Sequence, residues 1–358
     1  MKLSSLLAGA AVASLMMAAA CGASAQSWAD STTVSGRMYF DFSNITNKVD
    51  GVKSGNNGTG FDIKRFYIGV DHKFTDLISV NVTTDFQTQT FGDGSKATEL
   101  YLKKAYVDLN FSPMFDVKAG SSDLPWVPYA EGIYGNRYIE NTIADKQKVA
   151  TSADWGLHAA GVFGTASDPV VVSYAVSAVN GNGYKNPTRS KSMDLEGRLS
   201  LVYAGQWNVA IGGYTGKLGQ NVVGTATPNK ASRFDALAAW VGDHGRLGVE
   251  YFSANDYSAA LVKGPATTDD KADGYSLFGT YRIDHTYSVF GRMDDVKPSK
   301  SLTPSKKDKY YNAGVTYSVF KNVDFSLVAK HSEVTSTATP VNHKTTNDEL
   351  GVFAQVRY

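Results

Sequence analysis

Residues 193–215 read MDLEGRLSLVYAGQWNVAIGGYT, and their alternation decides the fold. Met193, Leu195, Leu199, Leu201 and Tyr203 fall on one parity; Asp194, Glu196, Arg198 and Ser200 fall on the other. Successive side chains of a strand point to opposite faces, so this segment has one apolar and one polar face. Ala204-Gly205 is a short turn, and Trp207 opens a second alternating run.

The same pattern recurs in both directions. Val34, Met38, Phe40 and Phe42 oppose Ser35, Arg37, Tyr39 and Asp41. Phe66, Ile68 and Val70 oppose Arg65, Tyr67 and Asp71, and Ile78, Val80, Val82 and Phe86 oppose Asn81, Thr83 and Asp85. Leu350, Val352, Ala354, Val356 and Tyr358 alternate with Phe353, Gln355 and Arg357. Sixteen strands are expected, at 32–42, 61–72, 76–87, 99–111, 114–121, 153–164, 169–180, 192–203, 206–215, 232–242, 245–255, 273–283, 286–295, 309–318, 322–333 and 348–358. Repeated strands of about ten residues with an apolar face for lipid and a polar face for water define an all-β, transmembrane antiparallel β-barrel. A soluble β-sandwich also alternates, so the connections decide between them. Short turns such as Ser112-Pro113, Ala204-Gly205, Asp243-His244 and Asp284-His285 alternate with long loops at 43–60, 88–98, 122–152, 181–191, 216–231, 256–272, 296–308 and 334–347. Outer-membrane barrels segregate connections in this way, with long external loops and short periplasmic turns; a sandwich has no reason to. Aromatics cluster at strand ends (Phe111, Phe115, Tyr203, Trp207, Trp240, Tyr287 and Tyr358 beside short turns, Trp155 and Tyr275 below long loops), as interfacial girdles require.

Before the first strand, Lys2, an apolar run from Leu3 to Ala20 and Ala23-Ser24-Ala25 read as a cleaved secretory signal peptide over residues 1–25. Residues 26–358 then form a single transmembrane barrel domain in a bacterial outer membrane. The one cysteine, Cys21, falls in the removed segment, which leaves no disulfide or thiol chemistry. Charges balance at 35 Lys and Arg against 34 Asp and Glu, so a nucleic-acid partner is not expected. With 12% aromatic residues the chain is not disordered either.

Chemistry-bearing patterns are sparse. His72, His158, His244, His285, His331 and His343 show no metal-ligand spacing. No G-x-S-x-G nucleophile elbow occurs. Gly92-Asp93-Gly94-Ser95-Lys96 lacks Walker spacing, and Gly181-Asn182-Gly183 reads as a loop. No cofactor and no metal are expected. A barrel enzyme of lipase or protease type, with Ser and His brought together only by folding, is the alternative.

Parity assigns Arg37, Arg65, Lys104, Lys118, Arg198, Arg233, Arg282, Arg292, Lys330 and Arg357 to the lumen as bases. The lumenal acids are Asp41, Asp71, Asp85, Asp108, Asp116, Asp154, Asp194, Glu196, Asp235, Glu250, Asp294 and Asp324. An anion channel needs an excess of bases, and there is none. Lys103 falls on the apolar parity, where mid-membrane placement costs roughly 2–4 kcal/mol. It therefore lies near a rim, at a subunit contact, or where the register shifts.

The mature chain resembles Gram-negative outer-membrane porins, and most closely the phosphate-selective porin O and P family. The resemblance is carried by FDIKRFYIGVDHKFTDLISVNVTTDF at 61–86, LYLKKAYVDL at 100–109, VKAGSSDLPWVPYAEGIYGNRYIE at 117–140 and SADWGLHAAGVF at 152–163. It implies a sixteen-stranded barrel, a homotrimer, and a long third external loop folded into the pore. Loop 122–152 is the longest here, and an ordered loop of such length usually serves a function. Glu131, Arg137 and Glu140 within it join Arg37, Arg65, Lys104, Lys118, Arg198, Arg282 and Arg292 as the candidate pore-lining and constriction residues. The expected function is a channel for passive diffusion of small hydrophilic solutes or inorganic ions, phosphate or other anions among them. The partners are then the lipid bilayer and those solutes.

Overall fold

The structure is a computed structural model that describes residues 31–55, 57–90, 96–264, 269–338 and 341–358. The expected signal peptide lies outside the described residues, apart from which every expected strand is present. The strands are β1 (Thr32–Val49), β2 (Gly58–Lys73), β3 (Ile78–Thr90), β4 (Lys96–Ser112), β5 (Phe115–Asp123), β6 (Ala153–Phe163), β7 (Val170–Val179) and β8 (Asp194–Tyr203). They continue as β9 (Trp207–Gly216), β10 (Ala231–Gly242), β11 (Gly245–Asn255), β12 (Lys271–Arg282), β13 (Tyr287–Lys297), β14 (Lys307–Phe320), β15 (Val323–Ala338) and β16 (Val341–Arg357). A two-residue pairing at Val52–Lys53 extends the first hairpin. Each strand pairs antiparallel with its sequence neighbours, and β1 pairs with β16 from Arg37↔Arg357 to Val49↔Thr345, which closes the sheet into a sixteen-stranded barrel. Closure leaves no unpaired edge, the condition for crossing lipid with strands.

Polarity is inverted relative to a soluble protein. In β8, Leu195 and Leu199 are 53% and 52% exposed, whereas Asp194 and Glu196 are 0% and 3% exposed. Apolar side chains point outward and charges point into the barrel, which excludes the sandwich, whose apolar faces must meet. Aromatics ring the short-turn end as stacked pairs, Phe111 with Phe115 at 5.6 Å, Phe163 with Tyr174 at 6.0 Å and Tyr287 with Tyr317 at 5.3 Å.

Strand ends differ most from the expected ones at two hairpins. Strands β1 and β2 run on through much of the expected loop 43–60, and β15 and β16 through most of 334–347. The extensions are polar on both faces (Asn44, Thr46, Asn47 and Lys48; His343, Lys344, Thr345 and Thr346). They stand beyond the apolar band, where both faces meet water and the alternation has no cause.

Two β-bulges change which residues face the lumen. The β1–β2 register steps from Tyr39↔Arg65 to Phe40↔Ile63, leaving Lys64 unpaired; the β3–β4 register steps from Thr83↔Lys104 to Thr84↔Leu102, leaving Lys103 unpaired. An extra residue shifts parity by one. Lys64 accordingly reaches Asp41 inside the barrel at 3.2 Å, and Lys103 lies buried with its Nζ 4.6 Å from the centre of the Tyr67 ring. Of the three readings open for Lys103, the shifted register is the one observed.

Candidate pore and its inserted segment

The connection 124–152 does not project outward from the barrel. Its base is closed by Leu124 N–H donating to Ser152 O at 2.9 Å. Pro128 stands in the first turn of α1 (Val127–Tyr134), where its missing N–H costs nothing, and Gly135 ends the helix at φ +77°. A single turn, α2 (Ile143–Lys146), follows. Trp126, Val127, Ala130, Ile143 and Ala144 are fully buried against Ala210, Leu237, Ala239, Phe252, Ala254 and Val296 of β9, β10, β11 and β13. Farther along, Tyr138 and Ile139 pack with Tyr39 of β1, Phe290 of β13, Val328 of β15 and Phe353 of β16. A segment leaving β5 that touches both β9 and β1 can do so only by crossing the lumen.

Basic side chains of the wall clamp its backbone. Arg198 donates to Pro125 O at 2.9 Å, Arg246 to Ile133 O at 2.8 Å, Lys330 to Ile139 O at 2.7 Å, Arg292 to Asn141 O at 2.5 Å and Arg233 to Val149 O at 2.7 Å. Arg246 meets the carbonyl end of α1, where a cation is favoured. Side-chain bonds add to these: Tyr138 OH to Ser326 Oγ at 2.6 Å, Asn136 to Thr280 at 3.0 Å and Gln147 to Asp308 at 2.9 Å. The segment thus covers the β8–β16 side of the lumen, touches β1 at Tyr39, and faces the polar wall formed by the rest of β1–β6.

The candidate residues separate into three groups. Arg198 and Arg292 are clamps; Arg292 is also bound to Asp294 at 2.7 Å and lies 4.9 Å from the Tyr134 ring and 5.5 Å from the Tyr310 ring. Arg65, Glu131 and Arg137 lie where segment and wall face each other, and Lys104 stands on the same wall in β4. Arg65 meets Asp85 at 2.7 Å, Lys104 pairs with Asp123, and Arg137 pairs with Glu131 and stands 3.6 Å from Asp145. Arg137 is within electrostatic range of Arg65 and Tyr67. Glu140 accepts from the N–H of Asn141 at 3.0 Å. Arg37, Lys118 and Arg282 are placed away from that gap. Arg37 lies beside Arg357 in the sheet, Lys118 pairs with Asp116 at 3.1 Å, and Arg282 holds the Asp243 carbonyl of a short turn at 3.1 Å.

Several lumenal acids are fasteners. Asp194 accepts from Tyr214 OH at 2.6 Å, Lys217 N–H at 2.8 Å and Gly219 N–H at 3.2 Å, and Asp154 accepts from Gly181 N–H at 2.8 Å. Counting charges by parity therefore overstates what an ion meets on both sides of the ledger. Residues that parity missed are Lys64 and Lys103, which the bulges turn inward to make the doublets Lys64-Arg65 and Lys103-Lys104. The wall that receives the segment did carry a signal: Leu237, Phe252, Phe278, Phe290, Val328 and Phe353 are large apolar residues on lumenal parity, all between β10 and β16.

One buried Ser–His contact joins Ser177 Oγ and His158 Nδ1 at 2.9 Å. Both residues are buried in the wall, and His158 Nε2 has no hydrogen-bond partner there. No carboxylate orients the imidazole, so the pair lacks the third member of a hydrolytic triad.

The phosphate-selective porin O and P family model matches residues 33–127. No curated protein matches the chain. Among solved structures, the anion-selective porin from Comamonas acidovorans is similar over 92% of this chain and 99% of its own, with a TM-score of 0.63 at 12% identity. The outer membrane channel DcaP of Acinetobacter baumannii is similar over 91% of this chain and 97% of its own, with a TM-score of 0.61 at 12% identity. Salmonella typhi OmpF, solved in complex with daunomycin, covers 91% and 97%, with a TM-score of 0.55 at 10% identity. At such identities the likeness shows the fold. The chain therefore has the closed β-barrel fold of these porins, and its residues 33–127 match the sequence pattern of the phosphate-selective porin O and P family.

Proposed function

We propose that the protein is a bacterial outer-membrane porin that lets small hydrophilic solutes and ions diffuse passively through a water-filled passage. The passage runs between the inserted segment 124–152 and the β1–β6 wall. The observation that carries this reading is the inverted barrel: a closed sixteen-stranded sheet with charges inside, a strand number that leaves room for water. On this reading the segment constricts the pore. Arg65, Lys104, Glu131 and Arg137, with Lys64 and Lys103, line its narrow part. Arg37, Lys118 and Arg282 line the approach, Glu140 lies on the segment, and Arg198 and Arg292 act through the segment's position. Phosphate or another inorganic anion is the favoured solute, on the family match and the two basic doublets, while the paired acids keep the preference weak. The resemblance adds a homotrimer, and Lys2, the apolar run Leu3–Ala20 and Ala23-Ser24-Ala25 add a removed signal peptide at 1–25. No catalysis is proposed.

Reversal potential of the purified protein in a planar bilayer under a salt gradient tests this, with phosphate and then a maltodextrin added. Stable channels with anion preference and phosphate block support the anion reading. Channels with weak selectivity and no phosphate block leave a general porin. Absence of channels from correctly folded protein overturns the proposal. The alternative barrel-enzyme reading has one observation behind it, the Ser177–His158 contact, and requires lipid or peptide turnover that Ser177→Ala abolishes.

A further inference from the structure

The inserted segment hangs at both ends from one buried network, and we propose that this network is the latch that sets the width and steadiness of the channel. The inference rests on the channel reading above. Trp126, at the start of the segment, is fully buried with its indole against Gly212 of β9. A Cβ at position 212 would stand 2.5 Å from Cε3 of that ring, so only glycine leaves the notch the indole occupies. The backbone N–H of Trp126 donates to Glu196 Oε1 at 3.0 Å, and its Nε1–H donates to Glu250 Oε1 at 3.0 Å.

Glu196 leads to the other end. Its Oε2 stands 3.0 Å from Arg233 Nη2; Arg233 binds Asp235 at 2.7 Å and donates to Val149 O at 2.7 Å. Trp126 and Val149 are thereby joined through a single carboxylate–guanidinium pair. The side chains of Glu196, Arg233 and Asp235 are essentially without solvent contact. Water cannot replace a lost partner there, so a break is not softened by solvation. Trp126 and Glu250 are positioning residues: they touch the segment and the wall, and reach the permeating ion only through where the segment sits. The barrel's own ladders are separate from this network, so releasing the latch moves the segment and leaves the barrel closed.

The test uses purified full-length protein in planar bilayers, with Gly212→Ala, Trp126→Phe, Glu250→Gln and Glu250→Leu, each first checked for heat-modifiable mobility as the sign of a closed barrel. Gly212→Ala and Glu250→Leu are expected to raise unit conductance roughly two-fold and to add conductance substates, because the constriction no longer rests against the wall. Glu250→Gln still accepts from Nε1–H and keeps the quiet record of the unaltered protein. Trp126→Phe, which loses the donor and keeps a ring in the notch, falls between. Folded Gly212→Ala and Glu250→Leu with unaltered conductance and no substates overturn the latch. If Gly212→Ala does not fold, the Glu250 pair and Trp126→Phe decide alone. Should the unaltered protein form no channel, the channel reading fails. The latch is then read by proteolysis within 127–149, where cleavage gained in Glu250→Leu supports it and equal protection overturns it.

Discussion

Leu102 and Lys103 are neighbours in sequence with opposite surroundings, because one unpaired residue separates their registers. Leu102 lies outside the barrel, 44% exposed, opposite Thr84; Lys103 lies inside beside Tyr67. Substituting each exposes the difference. Leu102→Lys should lower unfolding stability in liposomes by roughly 2–4 kcal/mol, less if it lies close to the interface, because the charge enters lipid. Lys103→Gln should cost less, about 1–2 kcal/mol, the scale of a largely desolvated cation–π contact, and should shift the reversal potential toward cations. Urea titrations and salt-gradient recordings on the two variants check both. Equal destabilisation by the two would mean that Lys103 does not face the lumen. At this scale the sequence was legible wherever parity was unbroken, as for Arg65 and Lys104. It was not legible at Lys64 and Lys103, since a bulge is one residue of backbone with no composition of its own.

Strands and turns obey the same physics with different visibility. Within the apolar band, lipid on one side and water on the other force period two, and those strands could be read within a few residues. Above the band, β1, β15 and β16 continue with polar residues on both faces, and only their backbone ladder shows them to be strands. The seam between β1 and β16 depends on a small residue. Gly36 exchanges hydrogen bonds with Tyr358 at 2.8 and 3.1 Å, and a Cβ at 36 would stand 2.2 Å from the Tyr358 ring. Gly36→Val should therefore push that ring from its place and lower the temperature at which the heat-modifiable folded band is lost on gels. An unchanged transition would show that the seam tolerates the bulk. The short turns carry their own acid response. Asp168 accepts from Thr165 N–H and Oγ1 at 2.6 and 3.0 Å, and Asp284 accepts from Thr286 and Tyr287 N–H, both at 2.7 Å. These bonds hold both carboxyls below the usual carboxylate range. A depressed carboxylate stabilises the folded turn above its ordinary pKa and loses that effect as pH falls through the lowered value. Amide-exchange protection factors at Thr165, Thr286 and Tyr287 should stay flat from neutrality to about pH 5 and fall only below about pH 4, the ordinary Asp value.

Across the whole molecule, the inserted segment divides the lumen into a half that it occupies and a half lined by the polar β1–β6 wall. The occupied half was half-legible: large apolar residues on lumenal parity, such as Leu237, Phe252 and Phe290, have no place in a uniformly wet pore and mark where something must dock. What docks there, and in which order, depends on contacts between positions far apart in sequence, such as Tyr138 with Ser326, which no local pattern contains. The chain's one cysteine, Cys21, precedes the described barrel, so single thiols can be introduced into it and read without interference. The central claim is a water-filled passage along the β1–β6 wall. It is tested most directly by adding a charged thiol reagent to channels carrying Lys104→Cys, Leu102→Cys or Leu237→Cys in a planar bilayer. The expected result is a rapid, lasting fall in current for Lys104→Cys alone, because Leu102 faces lipid and Leu237 lies beneath the segment. A fall at Leu237→Cys as large and as fast as at Lys104→Cys, or no current from any folded variant, would contradict it.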